Sequence, residues 1–255
     1  MSRPRLRLAL VGLVTTLVTG CSVNSGADRQ PGDPITAAEA DILAQLLHRN
    51  FDEGGADFVV TAPFGEDALL TLTGDVDFRH SVGRAEVLTT FGDGRPEDAR
   101  TVFFTRSDIW FGDVAGLPAA LAGDGVPGAT YLRRPLSTDG SGAPPLMDVV
   151  VGMVLGLASR TADDPRWFRD GDCTWEGQRS IDSRLASLFR LPEGPTVAVG
   201  AIDDLLTQFG ATLTAEKLEV TVTLSDHGSR RVDLPPEPET ADAADHPAVA
   251  ERLGI

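Results

Sequence analysis

The chain has 255 residues, 42% hydrophobic and 24% charged, ordinary globular values that exclude a wholly disordered, collagen-like or multi-span membrane protein. Its 22 basic residues face 38 acidic ones, a formal net charge of -16. The phosphate attraction behind nucleic-acid binding is therefore missing, and no nucleic-acid partner is expected.

Arg3, Arg5 and Arg7 precede an apolar run from Leu8 to Val18, interrupted by Gly12, Thr15 and Thr16. This is the build of an export signal. A membrane-spanning helix needs about 20 apolar residues, more than this run supplies. The run ends in Leu17-Val18-Thr19-Gly20-Cys21, which resembles a bacterial lipobox. The resemblance implies diacylglyceryl transfer to the Cys21 thiol, cleavage after Gly20 and acylation of the new amino terminus, so that Cys21 is the lipidation site. The alternative is an ordinary secretory signal in which Cys21 is incidental. Removing residues 1–20 leaves 19 basic against 38 acidic residues, a net charge of -19. Such a body is repelled by anionic headgroups, so contact with the cell membrane, on its extracytoplasmic face, must come from the anchor or from apolar surface.

Residues 21–34 hold Gly, Ser and Pro without apolar periodicity and read as the lipidated cysteine and a flexible linker. With Cys21 lipidated, Cys173 has no partner in the chain. It reads as a small buried strand residue, with a reactive thiol as the alternative.

Thr36 and Glu39 are spaced as a capping box, and Ile42, Leu43, Leu46 and Leu47 recur at helical spacing up to Asn50. From Asp57 to Phe111 the period becomes two. Leu70, Leu72, Val76 and Phe78 alternate with Thr71, Thr73, Asp75 and Asp77; Ala85, Val87 and Thr89 alternate with Arg84, Glu86 and Leu88. An aromatic strand, Val102 to Thr105, follows, and the whole reads as an antiparallel meander. Residues 112–145 are rich in Gly and Pro and read as a long loop with a strand near Tyr131. Leu146 to Leu157 is apolar nearly all round, with one charge at Asp148. It is either a core helix or a movable helix that closes an apolar cavity. Strands are expected again at 173–175, 179–185, 196–202, 205–213 and 217–224, with a turn at Asp203-Asp204. Residues 236–255 read as an acidic, Pro-rich tail, extended or disordered apart from a helical turn at 247–252.

Catalytic signatures are absent. His48, His80, His227 and His246 form no metal-ligand spacing, and no nucleophile elbow, P-loop or dinucleotide fingerprint occurs. An EF-hand at Asp170 fails at its sixth position, Trp175, and its twelfth, Ile181; a weak surface calcium site there is the residue of that reading. Asp75 with Asp77, Asp163 with Asp164, and Asp226 with His227 can each be drawn as an acid/base pair, and each reads better as solvated surface. No enzyme activity and no cofactor is expected.

The order of signal, linker, capped helix, meander, apolar helix and second strand group resembles the LolA-like lipoproteins of actinobacteria, the group of LppX and LprG. The most telling segments are LTLTGDVDF at 70–78, VFFT at 102–105, and the strand, His227-Gly228 turn, strand and Pro235-Pro236 ending. The resemblance implies an α+β fold over 35–235: a strongly curved antiparallel half-barrel with helices on its concave side. It further implies that acyl chains of lipids or lipoglycans bind between sheet and helices. The expected cavity lining is Leu70, Leu72, Val76, Phe78, Val102, Phe104, Leu146, Val150 and Val154. The alternative function is a cell-envelope interaction or sensor module with a packed core; a hydrolase built on Asp226 and His227 is a third.

Overall fold

The computed structural model describes residues 29–65, 67–137, 144–213 and 218–255. Cys21, the signal and residues 22–28 lie outside the described residues. Helix α1 spans Ala37–Glu53 and starts as its sequence dictates: the Thr36 side chain accepts from Glu39 N, and the Glu39 carboxylate accepts from Thr36 N at 2.7 Å. Two first-turn donors are thereby satisfied. It ends at Gly54, whose φ of 101° lies where a side chain would be strained.

One sheet of thirteen strands carries the fold, curved and unclosed, in an α+β architecture. Its first half is a meander: β2 (Gly55–Phe64), β3 (Ala68–Asp77), β4 (Val82–Phe91), β5 (Asp98–Phe104), β6 (Asp108–Gly112) and β7 (Tyr131–Pro135) pair in sequence, all antiparallel. The second half runs β8 (Thr174–Ile181), β9 (Arg184–Arg190), β10 (Thr196–Gly200), β11 (Leu206–Leu213) and β12 (Leu218–Ser225). It joins the first through β12 on β2, so that β2 is a central strand. The edges are short: β1 (Asp33–Pro34) on β8, and β13 (Thr240–Asp242) parallel to β7. Two- and three-residue edges leave little ladder for another chain to join.

Register explains the core. Ala62 faces Leu70, Val60 faces Leu72 and Ala56 faces Val76; across the other side Val87 faces Leu72 and Val102 faces Ala85. These pairs share the inner face, and all are buried. Phe104 lies opposite Gly83, where a Cβ would sit 2.3 Å from its ring; the glycine makes room for the aromatic ring, which also packs 6.2 Å from the Phe58 ring. Outward residues Arg84, Glu86 and Leu88 are exposed, so the alternation read from the sequence holds in β3 and β4.

It breaks at Asp77, which is buried instead of wetted. There the strand ends, and the carboxylate turns back to accept from His80 N at 3.0 Å and to meet His80 Nδ1 at 2.7 Å. An Asx-type turn thus overrides the strand period.

Helix α3, Leu146–Gly156, buries Val150, Val151, Val154 and Leu155. At its start Asp148, whose side chain is wholly buried, takes Arg134 of β7 at 2.8 and 2.5 Å and Ser137 N at 2.7 Å. At its end Asn50 Nδ2 donates to Leu157 O at 2.7 Å and Ser159 N to Leu47 O at 2.9 Å. The helix is tied to β7 at one end and to α1 at the other.

Several expectations are corrected. The 112–145 loop contains helix α2, Leu117–Gly123, whose Leu117 and Leu121 are fully buried; Pro118 suits a first helical turn, where no amide donor is needed. After Asp163 the chain forms helix α4, Pro165–Asp170, capped by Asp164. The stretch 179–185 is no continuous strand, because Asp182 and Ser183 adopt φ of 46° and 65° and reverse it. No strand directly follows the His227-Gly228 turn. Residues 236–255 are folded: Arg133 holds Asp242 with two hydrogen bonds of 2.8 and 3.1 Å, and helix α5, Pro247–Leu253, buries Val249 and Ala250 in the main core. Composition alone marked this segment as a tail, and tertiary contact with β7 and the core orders it.

Candidate functional site: an apolar cavity under α1, α3 and α4

A cavity of about 370 Å³ opens where α1, the end of α3, α4 and strands β10 and β11 converge. Leu43, Leu46 and Leu47 come from one face of α1, spaced three and four apart as a helix requires. Met153, Gly156 and Leu157 close it from α3, Trp167 and Phe168 from α4, and Val197, Leu206 and Phe209 form its floor. Asp163 is the one charged residue of the lining, and its amide donates to Ala44 O at 2.9 Å. Gly156 is exposed, with open space where a Cβ would stand. The volume lies within the range of small-molecule pockets, roughly 300–1,000 Å³.

The nine residues read from the sequence as cavity lining sit elsewhere. Leu70, Leu72, Val76, Phe78, Val102, Phe104, Val150 and Val154 are buried in the main core, and Leu146 packs partly buried against it. None of them borders the 370 Å³ cavity. They share one cluster with its wall residues Leu43, Leu46, Leu157, Phe168, Val197 and Leu206. The cavity's α4 wall had no sequence signal beyond Asp164-Pro165 followed by Trp167 and Phe168, a cap, a first-turn proline and an aromatic pair.

Beyond the rim of this cavity, and sharing Trp167 and Leu191 with it, lies a wider cleft of about 860 Å³ edged by Arg166, Asp170, Asp172 and Glu193. Trp167 is 56% exposed between the two. Hydrogen bonding by Arg166 holds the Asp164 carboxyl at about 2, so it stays ionised at any ordinary pH.

The groups with chemical potential are dispersed. Burial, then Asp57 opposite on β2, raises the Asp75 carboxyl, while Asp77 is engaged by His80. Glu176 is occupied by Thr174 at 2.7 Å and Arg190 at 3.2 Å, and among the described residues no group of three or more His, Cys, Asp or Glu is placed to hold a metal ion. Both ring nitrogens of His227 are buried without a partner, and burial lowers its basicity; the preceding Asp226 is exposed on a left-handed turn. Cys173 is a free, buried thiol whose pKa burial pushes up, the opposite of an activated nucleophile. No described helix is long and apolar enough to cross a membrane.

No protein-family model matches the sequence, and no curated protein is similar to it at a significant level. Among solved structures, LprF from Mycobacterium bovis is similar over 80% of this chain and 99% of its own, with 14% identity and a TM-score of 0.46. An uncharacterized conserved protein from Thermus thermophilus is similar over the same shares, 80% and 99%, with 10% identity and a TM-score of 0.40. The functional reading rests on the geometry of the cavity.

Proposed function

We propose that this chain is a non-enzymatic lipoprotein, anchored through Cys21, that binds or transfers lipids or lipoglycans by sheathing an acyl chain in the cavity under α1, α3 and α4. The observation that carries the reading is a preformed cavity of about 370 Å³ whose lining is apolar except for Asp163. A buried methylene contributes about 0.8 kcal/mol, so about ten of them give about 8 kcal/mol, within the span of about 4–15 kcal/mol that association costs. Each methylene fewer offsets less of that cost, so retention rises with the length of chain the cavity buries. Ligands larger than the cavity would require α3 to move outward, uncovering Val150 and Val154, which are fully buried. That movement would break the ties at the two ends of α3, the Asp148–Arg134 pair and the Asn50–Leu157 hydrogen bond.

The closed packing of eight of those nine residues favours a second reading, the interaction or sensor module with a filled core. One experiment separates the two. Gly156→Phe places a ring at the cavity mouth, where the backbone has room for it, and Gly156→Ala serves as control. Binding of a long-chain fluorescent fatty acid is expected to weaken at least about tenfold, or 1.4 kcal/mol, in Gly156→Phe and to persist in Gly156→Ala. A native chain that purifies without lipid and binds no acyl probe would overturn the carrier reading and leave the packed module.

A further inference from the structure

Which way the cavity faces follows from where the chain leaves the described body. Arg29 is held firmly: it donates to Glu39 of α1 at 2.5 Å and to the Pro34 carbonyl at 2.8 Å, and lies 4.9 Å over the Trp175 ring. Asp33 and Pro34 pair with Trp175 and Thr174, and Ile35 N donates to Cys173 O. Cys173 follows the last residue of α4 by three residues, at most about 11 Å of chain. The arm and the α4 wall of the cavity thus occupy the same end of the molecule.

Eight peptide steps separate Cys21 from Arg29, no more than about 29 Å even fully extended. A domain of this length has a radius of gyration of about 17 Å and is about 40 Å across. An anchor at Cys21 cannot reach round such a body to its far pole, so the faces within about 29 Å of Arg29, the α4 end nearest of them, are those that can meet the bilayer. The geometry points to a cavity whose α4 wall faces the membrane, with Trp167 seated in the headgroup layer of the bilayer that holds Cys21. This rests on the anchored-carrier reading above.

The side chains at that end suit the position. Trp167 is 56% exposed, and indole rings partition to the membrane interface. It is fixed from below by the buried Phe168, edge-on with ring centroids 4.8 Å apart. Arg166 and Arg169 flank it, with stems that can lie along the interface while their heads stay wet. Asp164 and Asp170 neutralise these arginines at 2.5 and 3.7 Å, so the seat depends on the indole and the anchor and works on a zwitterionic surface. The rival apolar contact is Ile202, 98% exposed. It sits in the loop before Asp204, which pairs with Arg49 at 3.1 Å; Arg49 is thirteen residues beyond Thr36 on α1, about 20 Å from the arm. In the proposed orientation an alkyl chain passes between bilayer and cavity without exposure to water, the step that otherwise opposes its transfer.

The test uses the full lipidated chain reconstituted in phosphatidylcholine vesicles whose acyl chains carry bromine close to the headgroup, with tryptophan emission as readout. Quenching is expected, falling several-fold in Trp167→Phe and unchanged in Ile202→Ser. It should persist in Gly156→Phe, where the cavity is closed. Quenching that is the same in Trp167→Phe, or lost in Ile202→Ser, overturns the orientation. Quenching lost in Gly156→Phe means the brominated lipid sat inside the cavity, which overturns the membrane seat and supports the carrier. Quenching that depends on Trp167 in a protein that binds no acyl probe supports the seat and removes the carrier reading instead.

Discussion

Asp148 is the single charge in an otherwise apolar helix, and its neutralisation gives the sharpest test of how α3 is held. Its carboxylate, fully buried, accepts from Arg134 at 2.8 and 2.5 Å and from Ser137 N at 2.7 Å. Asp148→Asn keeps the volume, removes the charge and turns an amide toward a guanidinium that has only donors. Breaking a buried pair by removing one partner costs about 3–5 kcal/mol, because the other charge stays desolvated. The Arg134 side chain retains 16% exposure, so water can reach it and the lower end applies, about 3 kcal/mol. Domains of about 150–250 residues lose about 2–4 °C of Tm per kcal/mol, so the expected drop is about 6–12 °C. Urea unfolding followed by circular dichroism should show a lower midpoint at an unchanged m-value. Pairing Asp148→Leu with Arg134→Met should recover much of the loss, since both charges are then gone. A loss below about 1 kcal/mol in Asp148→Asn, or a double variant no more stable than the single one, would refute the argument.

Three further outcomes are expected. Val150→Trp meets a fully buried position in α3 and should destabilise by about 1–3 kcal/mol or more through overpacking; a variant as stable as the parent would reveal an open chamber behind the helix. His227, held neutral by burial, has a folded pKa below the unfolded value. Between those two values the unfolded chain binds more protons, so stability should fall as pH drops below about 6.5 toward the folded pKa. His227→Leu should flatten that part of a stability–pH profile, and an unchanged slope would show that another group carries it. Gly83→Ala puts a methyl 2.3 Å from the Phe104 ring and should cost about 1–3 kcal/mol, measurable by the same urea unfolding; a neutral result would mean the ring moves freely.

Much of this architecture was legible in the order of residues because the rules involved are local. The capping box at Thr36 and Glu39, the two-residue period of β3 and β4, and the apolar run of α3 each depend on neighbours within a turn or a pleat. Inward residues such as Leu72 and Val87 could be named without knowing what they would meet. The short helices α2 and α4 were hidden because six or seven residues carry too little periodicity, and Gly and Pro around them resemble loop. The turn at Asp182-Ser183 was hidden because it uses left-handed backbone without glycine.

Tertiary structure decided the rest. Local pattern shows that Leu70, Val102 and Val154 turn inward, but only the distance between sheet and helices determines whether they enclose space or fill it, and here they fill it. The apolar cavity lies instead where α1, α3 and α4 meet β10 and β11, elements whose separation in sequence exceeds any local signal. The acidic segment 236–255 has too few apolar residues to order itself, yet β13 on β7, the Arg133–Asp242 pair and Val249 in the core order it. Periodicity is a property of the chain with itself; a cavity is a property of surfaces that meet only after folding.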